Sequence, residues 1–184
     1  MIAFVGLGNI GEKYENTKHN AGFWAVNEVA HRQKMSFVPG KGQYVFAHQI
    51  KKEFLLVKPT TGMNNSGNAV KMVIQEWGLL PQDIVAVVDD VDLSLGRIRI
   101  RPKGGDGCHR GMENIIYQLQ SDEFPRIRLG IGTDEKMRPA ENYVLKPFRS
   151  ENKVAVSRMV KVSADAIENI LIYGLNKTMN HFNS

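Results

Sequence analysis

The chain alternates short unbroken apolar runs with longer stretches in which apolar residues recur every three or four positions. The runs at 2–5 (IAFV) and 84–88 (IVAVV) have no polar face, as expected of strands covered on both sides. Residues 43–50 and 53–58 read as two more strands, with Lys51 and Lys52 at the turn and Pro59 ending the second. Residues 97–101 alternate Arg with Ile, which predicts a strand with a cationic outer face, and 126–132 reads as another strand. Helical spacing covers 21–34 (Phe23, Val26, Val29, Ala30), 65–78 (Val70, Val73, Ile74, Trp77), 111–120 and 151–173 (Met159, Ala164, Ile167, Ile170). Gly78 and Gly174 stand where the second and fourth of these should stop, and Asn65 or Ser66 is placed to cap the second. Residues 175–182 add a last short turn of helix, whereas 6–20, 104–107 and 133–146 read as loops.

Interleaved strands and helices predict an α/β fold: a single three-layer domain over residues 1–184, with a mixed, mostly parallel twisted sheet between helices. No repeat or low-complexity linker interrupts it, and 184 residues are enough to bury a core. The charge balance, 24 basic against 19 acidic residues, is compatible with a polyanionic partner such as RNA without requiring one. A single cysteine, Cys108, excludes a disulfide framework or a multi-cysteine zinc site and fits a reducing compartment. With no basic leader and no apolar stretch of membrane-spanning length, the expectation is a soluble cytoplasmic protein with no membrane partner.

The first strand runs into GLGNIG, which satisfies G-x-G-x-x-G at Gly6, Gly8 and Gly11. A dinucleotide site needs a helix starting within that motif, so that its N–H groups hold the pyrophosphate. Here EKYENTKHN follows, with no apolar stripe, and no ribose-binding acid stands at the end of a second strand. What the loop offers instead is Asn9, then Lys18, His19 and Asn20, polar groups at the carboxyl end of a strand.

Three other polar clusters follow strands. KPTTGMNNSG (58–67) brings Asn64 and Asn65, whose amides suit a peptide bond or a base edge. VVDDVDLSLG (87–96) brings Asp89, Asp90 and Asp92; an acid ending a buried strand is a common catalytic placement, and Asp-x-Asp also suits a divalent metal if further oxygen ligands exist. RIRIRPKGGDGCHRG (97–111) leads Arg97, Arg99, Arg101 and Lys103 into a glycine loop with His109 and Arg110, a pattern that meets phosphates or simply faces solvent. Among five histidines, His31 and His48 fall in a helix and a strand and read as structural. His19 is the best base, with Asp89 from a neighbouring strand end to hold its ring and fix its tautomer. Cys108 beside His109 supplies too few ligands for a metal.

Taken together, VGLGNIGEKYENTKHNAGF, KPTTGMNNSG, VVDDVDLSLGRIRIR, KGGDGCHRGMENII, FPRIRLGIG and YVLKPF strongly resemble the bacterial-type peptidyl-tRNA hydrolase family, in family order and over nearly the whole chain. The resemblance implies hydrolysis of the ester joining a peptide to the 3′ ribose of tRNA, by a monomer with no metal and no cofactor. By position, His19 is then the general base, Asp89 its orienting acid, and Asn9 positions the ester or the water. Asn64 and Met63 hold the peptide part, with Tyr14, Asn20 and Arg110 completing the substrate-binding set. Arg101, Lys103 and Arg128 fall where the family places cations that meet tRNA phosphates. The chain departs from the family pattern at Ile10 (usually Pro), Gly62 (usually aromatic) and Arg110 (usually Asn). Arginine has no acceptor atom and stays charged, so it cannot accept from a peptide N–H as Asn can. The expectation is an altered grip on substrate with hydrolysis spared. The alternatives are a non-catalytic RNA-binding paralogue and, from the glycine motif alone, a dinucleotide-dependent oxidoreductase.

Overall fold

A computed structural model describes residues 1–183. Seven strands form one sheet: β1 (Ile2–Gly6), β2 (Val38–Pro39), β3 (Tyr44–Gln49), β4 (Phe54–Pro59), β5 (Ile84–Ser94), β6 (Ile98–Arg101) and β7 (Arg126–Gly132), in the order β2-β3-β4-β1-β5-β7-β6. The central β4-β1-β5-β7 pairings are parallel, and the β2-β3, β3-β4 and β6-β7 pairings at the edges are antiparallel. The helices are α1 (Ala21–Arg32), α2 (Ser66–Trp77), α3 (Arg110–Leu119), α4 (Ala140–Val144), α5 (Lys153–Tyr173) and α6 (Leu175–Phe182).

Strand alternation sorts the core into two halves. Phe4 of β1 and Val85 and Val87 of β5 pack with α1 and α5 on one face. Ala3 and Val5, with Ile84, Ala86 and Val88, pack with α2 and α3 on the other. Both faces of β1 are therefore dry, which is why its sequence shows no period.

The glycine motif serves this packing. A Cβ on Gly6 would lie 2.4 Å from the carbonyl oxygen of Gly22 in α1, and one on Gly22 would lie 2.2 Å from that of Val87 in β5. The glycines let the first turn of α1 sit against the strand ends. The helix starts at Ala21, beyond the motif, so no helix N-terminus faces a pyrophosphate there.

Several boundaries differ from the sequence reading. β5 runs on to Ser94, carrying its acids inside the strand, because it keeps a partner in β7 through Ser94↔Gly132. The 133–146 segment contains α4, too short to show a period. Residues 6–20 hold two 3-10 turns, Glu12–Tyr14 and Lys18–Asn20. Neither Asn65 nor Ser66 caps α2 with its side chain; the Ser66 hydroxyl donates back to the Met63 carbonyl at 2.8 Å. Residues 175–182 form a full helix, after which the Asn183 side chain pairs with the backbone of Ile100 on edge strand β6.

Candidate active site

β1 lies between β4 and β5, so successive connections leave on opposite sides of it. In open parallel sheets ligands bind in the crevice beyond the strand ends at such a switch point. A cleft of about 1160 Å³ opens there, lined by Asn9, His19, Met63, Asn64, Asp89 and His109, with Arg101, Lys103, Arg110, Arg128 and Arg138 among its other residues.

Asp89 is at its floor, 4% exposed. His19 stands on the 3-10 turn before α1, and its Nδ1 lies 3.0 Å from each Asp89 carboxylate oxygen. A second imidazole, unforeseen from the sequence, reaches the same acid: His109 Nε2 is 3.0 Å from Asp89 Oδ1. His109 is the N-cap of α3, where its Nδ1 accepts the N–H groups of Gly111 (3.1 Å) and Met112 (3.3 Å). A ring nitrogen that accepts carries no proton, so the His109 proton sits on Nε2 and is donated to Asp89. The carboxylate is then held from two sides, and His19 presents Nδ1–H to Asp89 and its Nε2 lone pair to the cleft.

The contacts between Asp89 and the imidazoles also shift the acid and His19. Burial pushes the Asp89 carboxyl up, but His19 and His109 outweigh it and hold the group well below the usual carboxylate range. Burial pushes the His19 pKa down, while the charge and hydrogen bond of Asp89 carry it above its ordinary 6.5. His19, Asp89 and His109 also form the group best placed to hold a metal ion among the described residues, their ligand atoms all within 4.8 Å of one another. The fit is poor: with Nδ1 occupied by two backbone donors, His109 must lose its last ring proton before Nε2 can ligate.

Asn9 and Asn20 form a reciprocal pair. The Asn9 N–H donates to Asn20 Oδ1 (2.8 Å), and Asn20 Nδ2 donates to the Asn9 carbonyl (2.9 Å). Asn20 is buried, with both ends of its amide engaged, so it braces Asn9 and does not reach the cleft. Asn9 Oδ1 accepts the Met63 N–H at 2.8 Å, which turns its Nδ2 donors away from that contact. Met63 is buried, Asn64 exposed and Tyr14 half-buried, all three on the cleft wall.

The cations differ among themselves. Arg101 is exposed and makes no ion pair among the described residues. Lys103 meets Glu123 at 2.7 Å, and Arg128, one-third exposed, meets Asp90 at 2.5 Å. Both therefore hold an acidic partner in this structure, whereas Arg101 does not. Arg110 points outward at 69% side-chain exposure, and its ion pair, at 3.5 Å, is with Glu113 and not with Asp89.

A family model described as peptidyl-tRNA hydrolase matches residues 3–184. The chain belongs to the peptidyl-tRNA hydrolase family. It is 42% identical to the peptidyl-tRNA hydrolase of Persephonella marina over 97% of this chain and 95% of that protein, and 40% identical to that of Geobacillus thermodenitrificans over the full length of both. Its fold matches the crystal structure of peptidyl-tRNA hydrolase from Acinetobacter baumannii with a TM-score of 0.91 and 27% identity, over 100% of this chain and 95% of that one.

Proposed function

We propose that residues 1–184 work as one hydrolase domain, cleaving the ester between the peptide and the 3′ ribose of peptidyl-tRNA. One observation carries this reading: His19, held through Nδ1 by a buried carboxylate, faces an open cleft rimmed with cations. His19 Nε2 takes a proton from water as its oxygen attacks the ester carbonyl carbon, and the carbonyl π electrons move onto oxygen. The tetrahedral intermediate collapses, the C–O bond to the ribose breaks, and the imidazolium returns its proton to the leaving 3′ oxygen. Asp89 keeps the tautomer and stabilises the imidazolium without taking the proton, consistent with its depressed pKa. Asn9, its Oδ1 engaged by the Met63 N–H, is left to donate through Nδ2 to the ester carbonyl oxygen as it gains charge.

Asn64 and Met63 would receive the peptide, and an amide-reading site there favours an acylated nitrogen over a free ammonium. Arg101, Lys103 and Arg128 would meet phosphates of the acceptor stem and 3′ CCA end, the latter two by exchanging partners with Glu123 and Asp90. The protein would act as a monomer in the cytoplasm. No helix among the described residues is long and apolar enough to cross a membrane.

The test is release of N-acetyl-amino acid from N-acetyl-aminoacyl-tRNA, beside unacylated aminoacyl-tRNA, by wild type and His19→Ala. Selective release that vanishes in the variant supports the reaction and the base. Tight tRNA binding with no release by wild type would make the protein an RNA-binding paralogue.

A further inference from the structure

Lys18, the residue before His19, is fully buried, a rare position for an ammonium group. Its partners all come from the segment between β7 and α5. Nζ donates to the Pro147 carbonyl at 2.9 Å and lies 3.7 Å from Glu135 Oε2. It also sits 4.2 Å from the Tyr143 ring centre and 5.2 Å from that of Phe148. The backbone adds a second tie: the Lys18 N–H donates to the Lys146 carbonyl at 3.1 Å, and Thr17 pairs with Pro147 in an antiparallel bridge.

That same segment supplies part of the cleft lining, through Arg138, Ala140, Glu141, Val144 and Leu145. Consecutive residues of a 3-10 turn point about 120° apart. The turn therefore sends His19 into the cleft and Lys18 behind its wall. Tyr143, whose ring lies under the ammonium, is anchored in turn to the Ile131 carbonyl at 2.6 Å.

We propose that Lys18 is a positioning residue for substrate: its buried ammonium clamps the 135–148 wall to the turn bearing His19 and so fixes the width of the cleft. The inference rests on the ester-hydrolase reading and names a residue through which that site grips its substrate. Packing alone does not explain the choice of side chain. Burial drives the Lys18 pKa down against the pull of Glu135, and an uncharged side chain of the same length would fill the space without that opposition. What only the ammonium supplies is a directional tie to a carbonyl, a carboxylate and two ring faces at once.

Lys18→Met therefore reports on both stability and grip, and the split between KM and kcat tells a clamp from a merely structural role. The melting temperature falls, because removing one partner leaves the Pro147 carbonyl without its donor and Glu135 with only Arg149 and Thr133, and the kinetics are read below the lowered transition. KM for N-acetyl-aminoacyl-tRNA rises about tenfold, with kcat at saturation and its pH profile nearly unchanged, the signature of lost binding common to ground and transition states. Lys18→Arg, which keeps a cation and N–H donors, recovers most of the KM. A wild-type KM in Lys18→Met, or a loss confined to kcat, overturns the proposal. If Lys18→Met does not fold, Glu135→Gln tests the clamp from its other end: raised KM supports it and unchanged KM overturns it. The same comparison read as Kd on a His19→Ala background does not depend on turnover. A wild type that never releases amino acid would sink the ester-hydrolase reading alone, while an unchanged Kd would sink the clamp alone.

Discussion

Asp89 and Asp90 are neighbours on β5, yet the strand's two-residue alternation gives them different surroundings. Asp89 faces two imidazoles, each fixed by something else: His19 by its turn, His109 by the N–H groups opening α3. Asp90 faces Arg128, a long side chain one-third exposed to water. The first acid belongs to a constellation whose every member has one place to be. The second belongs to a rim of ion pairs, with Lys103–Glu123 and Arg138–Asp92, which under the proposed function would exchange acid for phosphate. Chemistry that depends on tautomer and angle needs the first arrangement. Capture of a large polyanion would tolerate the second, most readily at Lys103–Glu123 and Arg138–Asp92, where both partners are exposed and such pairs are worth little, and less so at the half-buried Arg128–Asp90.

Variants in the buried cluster should therefore cost most. His19→Ala is expected to lower kcat by about 10²- to 10⁴-fold with Kd for substrate little changed, as measured by release and by filter binding. A comparable loss in Kd would blur the contrast, since it would make His19 part of the grip. The pH profile sharpens it further. A base works in its neutral form, and Asp89 carries the His19 pKa above 6.5. The rising limb of kcat/KM should thus be centred above 6.5. In Asp89→Asn the upward pull is gone and burial remains, so the limb moves to lower pH while the maximum rate falls.

His109 allows a finer cut, because it holds the acid and caps a helix at once. His109→Ala loses both roles. It is expected to cost about 1 kcal/mol of stability as a lost N-cap, read as a melting shift of a few degrees, along with a roughly tenfold fall in kcat. His109→Asn keeps a good cap and should restore the melting temperature. If it also restores kcat, the imidazole on Asp89 has no part in catalysis.

Rim variants should act on affinity and its salt dependence. Arg101 makes no ion pair among the described residues, so Arg101→Ala should reduce the slope of log Kd against log salt by nearly one. Lys103→Ala, which frees Glu123 as it removes the lysine, should change affinity less. Equal effects would mean that the existing pairs do not matter to capture.

The same contrast decides what was legible in the sequence. The strand runs at 2–5 and 84–88 and the helix stripes were readable because their periods follow from burial. His19 and Asp89 stood out as polar groups ending buried strands, and the structure brings them together. His109 did not, because its contact with Asp89 depends on where the glycine loop returns, and nothing local encodes that. Asn20 looked like a cleft residue for a related reason: the sequence shows an amide in a polar loop, not that both its ends are taken by Asn9. The ion pairs of Lys103 and Arg128 were equally hidden, each partner lying on another segment or strand.

Arg110 gives the smallest expected effect and bears most directly on the sequence reading. Where the sequence resemblance leads one to expect Asn, this chain carries a guanidinium on the first turn of α3, 3.5 Å from Glu113. An exposed pair at that distance contributes almost nothing to stability, so the melting temperature of Arg110→Asn should match wild type. Its charge is not among the groups that shift His19, so the pH profile should not move either. What Asn adds is an acceptor one residue from His109, within the cleft lining, able to take a peptide N–H. The expected result is a KM lowered by no more than about threefold with kcat unchanged, the pattern of binding shared by ground and transition states. A rise in kcat of a hundredfold or more would show instead that Arg110 had been holding the buried cluster inactive, and that rim and cluster are coupled after all.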